Sequence, residues 1–271
     1  MATKINRLKL IIRGLLFFTY AFLYFFNRQY LIEIIEWRIE HSAITPLHIA
    51  WLFLMLELIV VPIPSLNYYI SRGKQFKSYY ASAGNIAEES QALAQHTKLM
   101  NRRAAATMGL WLILTGIIGF LYIKDIIGEL EMYLAMLFFY FGDMICINIW
   151  CPFQFFIMKE KCCNTCRLYN WGHFMMYSHF VFIPNFFTLS LFGMSLLILI
   201  QWEYMHHKHP DRFYEGTNLN LRCSRCKDRG CKIRHRSNSV MGRIYTKIPL
   251  PSMIRGKLIN NFYNYNKFIM K

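Results

Sequence analysis

The stretch "ELEMYLAMLFFYFGDMICINIW", residues 129–150, decides the class of fold. Between Glu131 and Trp150 its one charged side chain is Asp143. About 20 consecutive, mostly apolar residues are enough to cross a bilayer as a helix. A segment in lipid must also satisfy its own backbone hydrogen bonds, which a helix does. The stretch therefore predicts a transmembrane helix.

The rest of the chain repeats this pattern. It is 55% hydrophobic and only 17% charged, with a mean hydropathy of +0.23, whereas soluble domains carry about 25% charged residues. The sequence predicts an all-α, polytopic transmembrane helix bundle of about five spans in residues 1–202, followed by a basic, Cys/His-rich tail in residues 203–271. The N-terminal run shows no small-residue cleavage site, so we expect a retained span. The predicted spans are residues 10–26, 46–64, 104–123, 129–150 and 172–201.

Two surface helices are predicted beside these spans. Residues 27–41 alternate apolar pairs with charges at helical spacing, which is typical of an interfacial helix. Before the third span, Asn85 and Glu88 have the spacing of an N-cap and its capping-box partner. We expect a helix to start there and to continue into the span.

The net charge of +16 is unevenly distributed, with 15 of the 31 Lys and Arg residues after residue 201. Basic loops beside apolar runs favour anionic lipid headgroups as partners; stacking on single-stranded nucleic acid is the minority interpretation. The excess of basic residues in alternate loops predicts a cytoplasmic N-terminus and a cytoplasmic hinge, residues 151–173. Five crossings would then export the basic tail. A helix break at Pro184-Asn185 or an interfacial first span would avoid this, and the sequence leaves the choice open.

Seven of the eight cysteines form two local groups, "WCPFQFFIMKEKCCNTC" and "RCSRCKDRGC". Cys-x-x-Cys pairs recur at zinc sites and iron–sulfur clusters, so zinc or an iron–sulfur cluster is the predicted cofactor. Neighbouring Lys and Arg are expected to lower the thiol pKa. Free thiols, tail disulfides and thiol–disulfide exchange remain alternatives. The candidate ligands are Cys151, Cys162, Cys163, Cys166 and His173 in the hinge, and Cys223, Cys226, Cys231 and His235 in the tail, with His206, His207 and His209 as further loop candidates.

Ionisable groups also interrupt the predicted spans. Arg13, Glu57, Asp143 and His179 are all expected in the cytoplasmic leaflet, and Cys146 lies one helical turn from Asp143. Such groups mark functional sites by default, although polar side chains also fix the packing of membrane helices. An ion pair of Arg13 with either carboxylate would lower the cost of burial.

The sequence carries no Gly-rich phosphate loop, G-x-S-x-G or H-E-x-x-H motif. Three functions are therefore considered. The first is a membrane metalloprotein acting in electron transfer or in maturation of a partner protein. The second is a cation transporter or channel using Glu57, Asp143 and His179, and the third is a non-catalytic membrane scaffold. A haem bound by His48, His173 or His179 is the weaker cofactor hypothesis.

Overall fold

The computed structural model of the protein describes residues 2–37, 44–67, 71–84, 89–160, 162–163 and 165–225. Throughout these ranges the chain is helical or forms turns and loops, apart from one isolated antiparallel bridge between Ser82 and Asn218. The all-α prediction is confirmed for this part of the chain. Its α-helices are α1 Ala2–Phe26, α2 Arg28–Glu36, α3 Pro46–Val60, α4 Ser90–Ile123, α5 Glu129–Asn148, α6 Gly172–Tyr177 and α7 Phe186–Lys208.

Four helices in the described ranges, α1, α4, α5 and α7, are long and apolar enough to cross a membrane. Helix α3 is also apolar but has only 15 residues. At 1.5 Å per residue it extends about 22 Å, less than the ~30 Å hydrocarbon core of a bilayer. The structure therefore contains four candidate spans and one shorter apolar helix where the sequence predicted five spans. This architecture is consistent with an integral membrane protein.

Both predicted surface helices can be compared with the structure. Helix α2 follows α1 after Asn27, whose side chain accepts a hydrogen bond from the Tyr30 backbone N–H at 3.2 Å. Helix α4 begins at Ser90 and continues without interruption for 34 residues, so the polar segment does run into the third span as one helix. The predicted cap at Asn85 and Glu88 lies outside the described residues.

The prediction of a single helix over residues 172–201 is wrong. The chain forms α6, then a 3₁₀ turn over Ser178–Phe182, and α7 starts only at Phe186. Pro184 has no backbone N–H to donate and disfavours a helical residue before it. Asn185 then caps α7, because its side chain accepts a hydrogen bond from the Thr188 N–H at 2.9 Å. The last span is consequently displaced toward the C-terminus.

Hydrogen bonds bring three connecting segments together at one end of the bundle, which we call the hinge end. The Leu219 N–H donates to the Ala81 carbonyl at 2.8 Å, and the Ala83 N–H donates to the Thr217 carbonyl at 3.0 Å. The hinge joins them, since Asn170 Nδ2 donates to Gln75 Oε1 at 2.8 Å. Residues 71–83, the hinge and residues 209–222 therefore share one end.

The direction of each helix follows from its contacts. Asn148, at the last turn of α5, donates to the Asn6 carbonyl at 3.3 Å, so α1 starts at the hinge end. Tyr20 near the other end of α1 donates to the Leu130 carbonyl at 3.0 Å. Helix α3 begins beside the start of α7, where Trp51 Nε1 donates to Ser190 Oγ at 2.8 Å. Its first turns therefore lie away from the hinge end, and it runs toward that end.

Residues 172–182 run back along α5 from the hinge end. Gly172 lies beside Asp143, whereas His179 Nε2 is 3.2 Å from the carbonyl of Met132 near the start of α5. Helix α7 then returns to the hinge end, where Glu203 pairs with Arg167 of the hinge. Because of the break at Pro184, residues 172–182 and α7 run in opposite directions. This is the arrangement that the sequence left open as one alternative. The first residues after α7 lie at the same end as the hinge.

Buried apolar side chains form two clusters. One surrounds Leu58, Met132 and Trp202, and the other, nearer the hinge, surrounds Trp111 and Trp171. By contrast, many large apolar side chains face outward, particularly on α1, α3 and α4. Such a surface is unfavourable in water and is expected where a helix meets lipid.

Candidate functional site

A buried charge cluster lies where α1, α3 and α5 meet. Arg13, 3% exposed, donates from Nη2 to Glu57 Oε1 at 2.7 Å and from Nη1 to Asp143 Oδ2 at 3.1 Å. The predicted ion pair is therefore confirmed, and Arg13 binds both carboxylates. One guanidinium can do this because its five N–H donors form a rigid fork.

Neighbouring groups complete this cluster. Lys9 Nζ lies 3.2 Å from Glu57 Oε1, and the Tyr140 hydroxyl donates to Glu57 Oε2 at 2.8 Å. The Arg13 guanidinium also lies 3.7 Å from the centre of the Tyr140 ring. Two cationic and two anionic side chains thus balance, which reduces the cost of placing charges in an apolar surrounding.

A cavity of about 450 Å³ adjoins Asp143. Its walls come from α1, α4, α5 and the hinge and are almost entirely apolar, with aromatic rings from each of these segments. Trp111 packs edge to face against Phe139 and Phe153, with ring centres 4.9 and 6.0 Å apart. A volume and lining of this kind are typical of small-molecule sites.

Four cysteines line this cavity: Cys146, Cys151, Cys163 and Cys166. Cys146 and Cys151 interact electrostatically as neighbours in this wall. Cys163 Sγ donates to Gln154 Oε1 at 3.1 Å, and electrostatic interactions link Cys166 to both Cys163 and Cys151. The hinge therefore places its sulfur atoms beside that of α5.

These sulfur atoms are not arranged as a metal site. Within the described part of the chain, no three His, Cys, Asp or Glu side chains form a group that could hold a metal ion. The expected lowering of thiol pKa is also wrong for Cys166, because burial raises its pKa well above the usual value. Its basic neighbours in sequence are not the dominant influence, and the thiol is protonated at neutral pH.

The remaining predicted residues are dispersed. Cys162 is partly exposed and does not line the cavity. His173 is buried on α6 and interacts electrostatically with Glu57. Among the loop candidates, His206 packs on Phe213 with ring centres 4.9 Å apart, while His207 is exposed and His209 is half-buried. For Cys223 only the backbone is described, and Cys226, Cys231 and His235 lie outside the described residues.

His179 was expected in the same leaflet as the charge cluster, and this prediction is wrong. It is completely buried beside Met132, near the start of α5, whereas Asp143 is eleven residues further along that helix. The reason is the separate course of residues 172–182, which carries His179 away from the hinge end. His48, the other distant haem candidate, caps α3 through Thr45.

A second polar cluster, the hinge clamp, holds the hinge to α4 and α7. Arg167 Nε donates to Glu203 Oε1 at 2.9 Å, and a second hydrogen bond joins the Arg167 guanidinium to the other carboxylate oxygen. Trp171 Nε1 also donates to Glu203 at 2.7 Å, and Asn101 of α4 accepts from Arg167. The clamp fixes the hinge, which carries three of the cavity cysteines, Cys151, Cys163 and Cys166.

Sequence reasoning missed several of these residues. Gln154 and Trp150 line the cavity, and Trp150 Nε1 is buried without a hydrogen-bond partner among the residues that the structure describes. Arg167 and Glu203 were not predicted as a pair. One feature of the sequence could have indicated this pair. Glu203 is a charged residue that directly follows Trp202 at the end of a predicted apolar span.

The fold and site define an all-helical protein, consistent with an integral membrane protein, in which a cysteine-lined cavity adjoins a buried charge cluster. No protein-family model, curated protein or solved structure matches this chain.

Proposed function

We propose that this integral membrane protein binds a lipophilic small molecule in the cysteine-lined cavity. The observation that supports this most strongly is the 450 Å³ apolar cavity itself. Two of its lining side chains, Leu114 and Phe138, are 38% and 55% exposed on the outer surface. A ligand dissolved in the bilayer would therefore enter laterally, without crossing water.

The lining of the cavity favours an uncharged ligand. Asp143 is the one charged residue among the residues that line it. Asp143 is already bound to Arg13, so we do not expect it to bind a cationic ligand.

In this proposal the charge cluster fixes the packing of α1, α3 and α5 around the cavity. The alternative of a cation pathway through Glu57 and Asp143 would require both carboxylates to separate from Arg13. His179, the third member of that pathway, lies beside Met132 rather than Asp143. The geometry therefore supports packing over conduction.

The test is a variant that fills the cavity. A Cβ atom at Gly142, in the cavity wall, would have no heavy atom within 4 Å, so Gly142→Leu should occupy the cavity without a backbone clash. Gly116→Leu is the matched control, because Gly116 on α4 is equally open but does not line the cavity. Both changes replace a helical glycine and gain a similar helix propensity.

The measurement is photolabelling in proteoliposomes with a lipophilic diazirine probe, mapped by peptide mass spectrometry. We expect label on α5 and the hinge, lost in Gly142→Leu and kept in Gly116→Leu. Equal labelling of these peptides in both variants would contradict the proposal.

Metal binding by the cysteines is the second candidate function. It is favoured by the convergence of Cys146, Cys151, Cys163 and Cys166 on one cavity, because four thiolates are a complete ligand set for zinc or an iron–sulfur cluster. The thiols would have to move closer together and release their protons. The role would be electron transfer or maturation of a partner protein.

Metal analysis of the purified protein separates the two candidates. Stoichiometric zinc or iron that is lost in both Cys163→Ser and Cys166→Ser would support the metal site. Zinc and iron far below stoichiometry would contradict it and leave the lipophilic-ligand proposal intact.

We also propose that the hinge end faces the cytoplasm and contacts anionic headgroups. Support comes from the basic residues of the α4 start, the hinge and the tail, which follow the positive-inside pattern. In a cysteine-free background, Ser90→Cys should resist a membrane-impermeant thiol reagent in intact cells, and Lys124→Cys should react. The reverse pattern would overturn this orientation.

A further inference from the structure

The turn after α5 brings two thiols of the cavity together. Helix α5 ends at Asn148, and the backbone N–H groups of Ile149 and Trp150 both donate to the Ile145 carbonyl, at 2.8 and 3.0 Å. This tight C-terminal turn reverses the chain. As a result Cys146 and Cys151, five positions apart, are neighbouring residues in the wall of one cavity. A disulfide between them requires Cα atoms about 4.4–6.8 Å apart.

The surroundings of this pair restrict which oxidant can reach it. Both thiols face the apolar cavity, which has few groups to bind water or charged oxidants. A reactant dissolved in lipid can enter at Leu114 and Phe138. A two-electron oxidant for this dithiol must therefore be lipophilic.

The cavity also fits a flat ring. Aromatic side chains from α1, α4, α5 and the hinge surround it, including Trp111, Phe139 and Phe153. An alkyl or isoprenoid chain on the ring could extend through the lateral opening into lipid.

We propose that the cavity ligand is a membrane quinone and that it oxidises Cys146 and Cys151 to a disulfide. This inference rests on the proposed binding of a lipophilic ligand. Two S–H bonds break and one S–S bond forms. The two electrons and two protons reduce the two quinone carbonyls to the hydroxyls of a hydroquinone, so that the reaction balances without another reactant.

Cys163 and Cys166 line the same cavity beside this pair. Cys163 Sγ lies 3.7 Å from the Cys146 carbonyl oxygen, and the Cys166 N–H donates to the Cys163 carbonyl at 3.1 Å. Once the disulfide has formed, attack by Cys163 would give a mixed disulfide and release one thiol of the pair. Attack by Cys166 on Cys163 would then release the other thiol and leave a Cys163–Cys166 disulfide, so that the oxidising equivalent passes to the hinge. The chemistry would need a reduced protein or small thiol at the hinge end as the final electron donor.

The experiment uses the full chain in anaerobic liposomes, reduced with dithiothreitol that is then removed. Decylubiquinone is the probe, because its fully substituted ring does not add thiols. Binding is followed by quenching of tryptophan fluorescence, reduction by the loss of quinone absorbance, and disulfide formation by peptide mass spectrometry. We expect quenching, a disulfide between Cys146 and Cys151, and a matching amount of hydroquinone.

Three variants and one control sharpen this test. Cys146→Ser and Cys151→Ser should each abolish quinone reduction while leaving quenching unchanged, and either one suffices if the other fails to fold. Cys162→Ser should behave as the unmodified chain, because Cys162 does not line the cavity. Gly142→Leu should lose both quenching and reduction.

The outcomes distinguish the two proposals. Quenching with all thiols still reduced would overturn the redox inference but leave ligand binding standing. If neither decylubiquinone nor the lipophilic diazirine probe binds, both proposals fail. Undiminished quinone reduction in Cys146→Ser and Cys151→Ser would show that other thiols react and would overturn the assignment to this pair.

Discussion

The two arginine clusters use the same chemistry in different surroundings. In the buried charge cluster, Arg13 is 3% exposed and its partners Glu57 and Asp143 are 16% and 19% exposed. In the hinge clamp, Arg167 is 14% and Glu203 is 30% exposed. The first cluster joins three helices in the apolar body of the bundle, and the second joins the hinge to two helix ends.

From this difference in exposure we expect burial, rather than the number of contacts, to decide how much each charge contributes to the free energy of unfolding. Removing one partner of a buried pair leaves an uncompensated charge, whereas water can replace a partner at an exposed pair. The buried charge cluster should therefore be indispensable to the packing of the helices. The hinge clamp should stabilise the position of the hinge, and an exposed ion pair should contribute little to the free energy of unfolding.

The largest effect is expected for Arg13→Gln. This change leaves Glu57 and Asp143 without their shared partner, and breaking a buried ion pair in this way costs about 3–5 kcal/mol of the free energy of unfolding. Unfolding in mixed micelles with increasing SDS would measure the loss. A decrease no larger than that of a surface pair would contradict the role of Arg13 in helix packing.

A combined variant sharpens the same prediction. Arg13→Met with Glu57→Met and Asp143→Asn removes the three more buried charges together and leaves Lys9, which is 41% exposed. Replacing buried ion pairs with uncharged groups is often nearly neutral. We expect the combined variant to recover most of the stability lost in Arg13→Gln. If it unfolds as easily as the single variant, charge compensation is not the reason for the effect.

An intermediate effect is expected for Arg167→Gln. The glutamine loses the paired hydrogen bonds to Glu203, and hydrogen bonds to charged groups contribute about 1.5–3 kcal/mol. The hinge should loosen, so that Cys166 reacts faster with a thiol reagent at fixed pH. Peptide mass spectrometry after timed alkylation would measure this.

Arg167→Lys is the matched control for the hinge clamp. It keeps the charge but has no planar fork for two parallel hydrogen bonds. Its Cys166 alkylation rate should lie between those of the unmodified chain and Arg167→Gln. A rate equal to that of Arg167→Gln would mean that the fork geometry, and not the charge, holds the hinge.

The smallest effect is expected for Arg28→Gln. Arg28 is 56% exposed and lies 3.1 Å from Glu131, and exposed pairs of this kind contribute about 0–1 kcal/mol. The same SDS titration would measure it beside Arg13→Gln. A loss comparable to that of Arg13→Gln would contradict the contrast between buried and exposed pairs.

Much of the fold could be predicted because a bilayer leaves few choices for an apolar run. Length and apolarity predicted spans at residues 129–150 and 104–123, and the structure has helices at Glu129–Asn148 and Ser90–Ile123. Pro184 indicated a possible helix break. Whether the chain kept its direction or turned back after this break depended on how residues 172–182 pack against α5. No local pattern encodes that packing.

The candidate site was predicted only in part. The pairing of Arg13 with the carboxylates followed from the cost of unpaired charge in an apolar surrounding. Cys146 was grouped with the polar residues and not with the hinge cysteines, because helical spacing reports neighbours on one helix and not contacts across a turn. Cys166 was expected to have a lowered pKa because of its basic neighbours in sequence, whereas burial raises its pKa.

By itself the sequence determined that the chain folds as apolar helices with basic connections and that cysteines concentrate beside their ends, since these properties depend on local composition and length. Only the tertiary structure decided that the hinge, residues 71–83 and residues 209–222 share one end. It also decided that four cysteines face one cavity while His179 lies apart. The physical reason is that contacts between residues far apart in sequence determine the direction in which each segment runs, the burial of each side chain and the shape of the cavity.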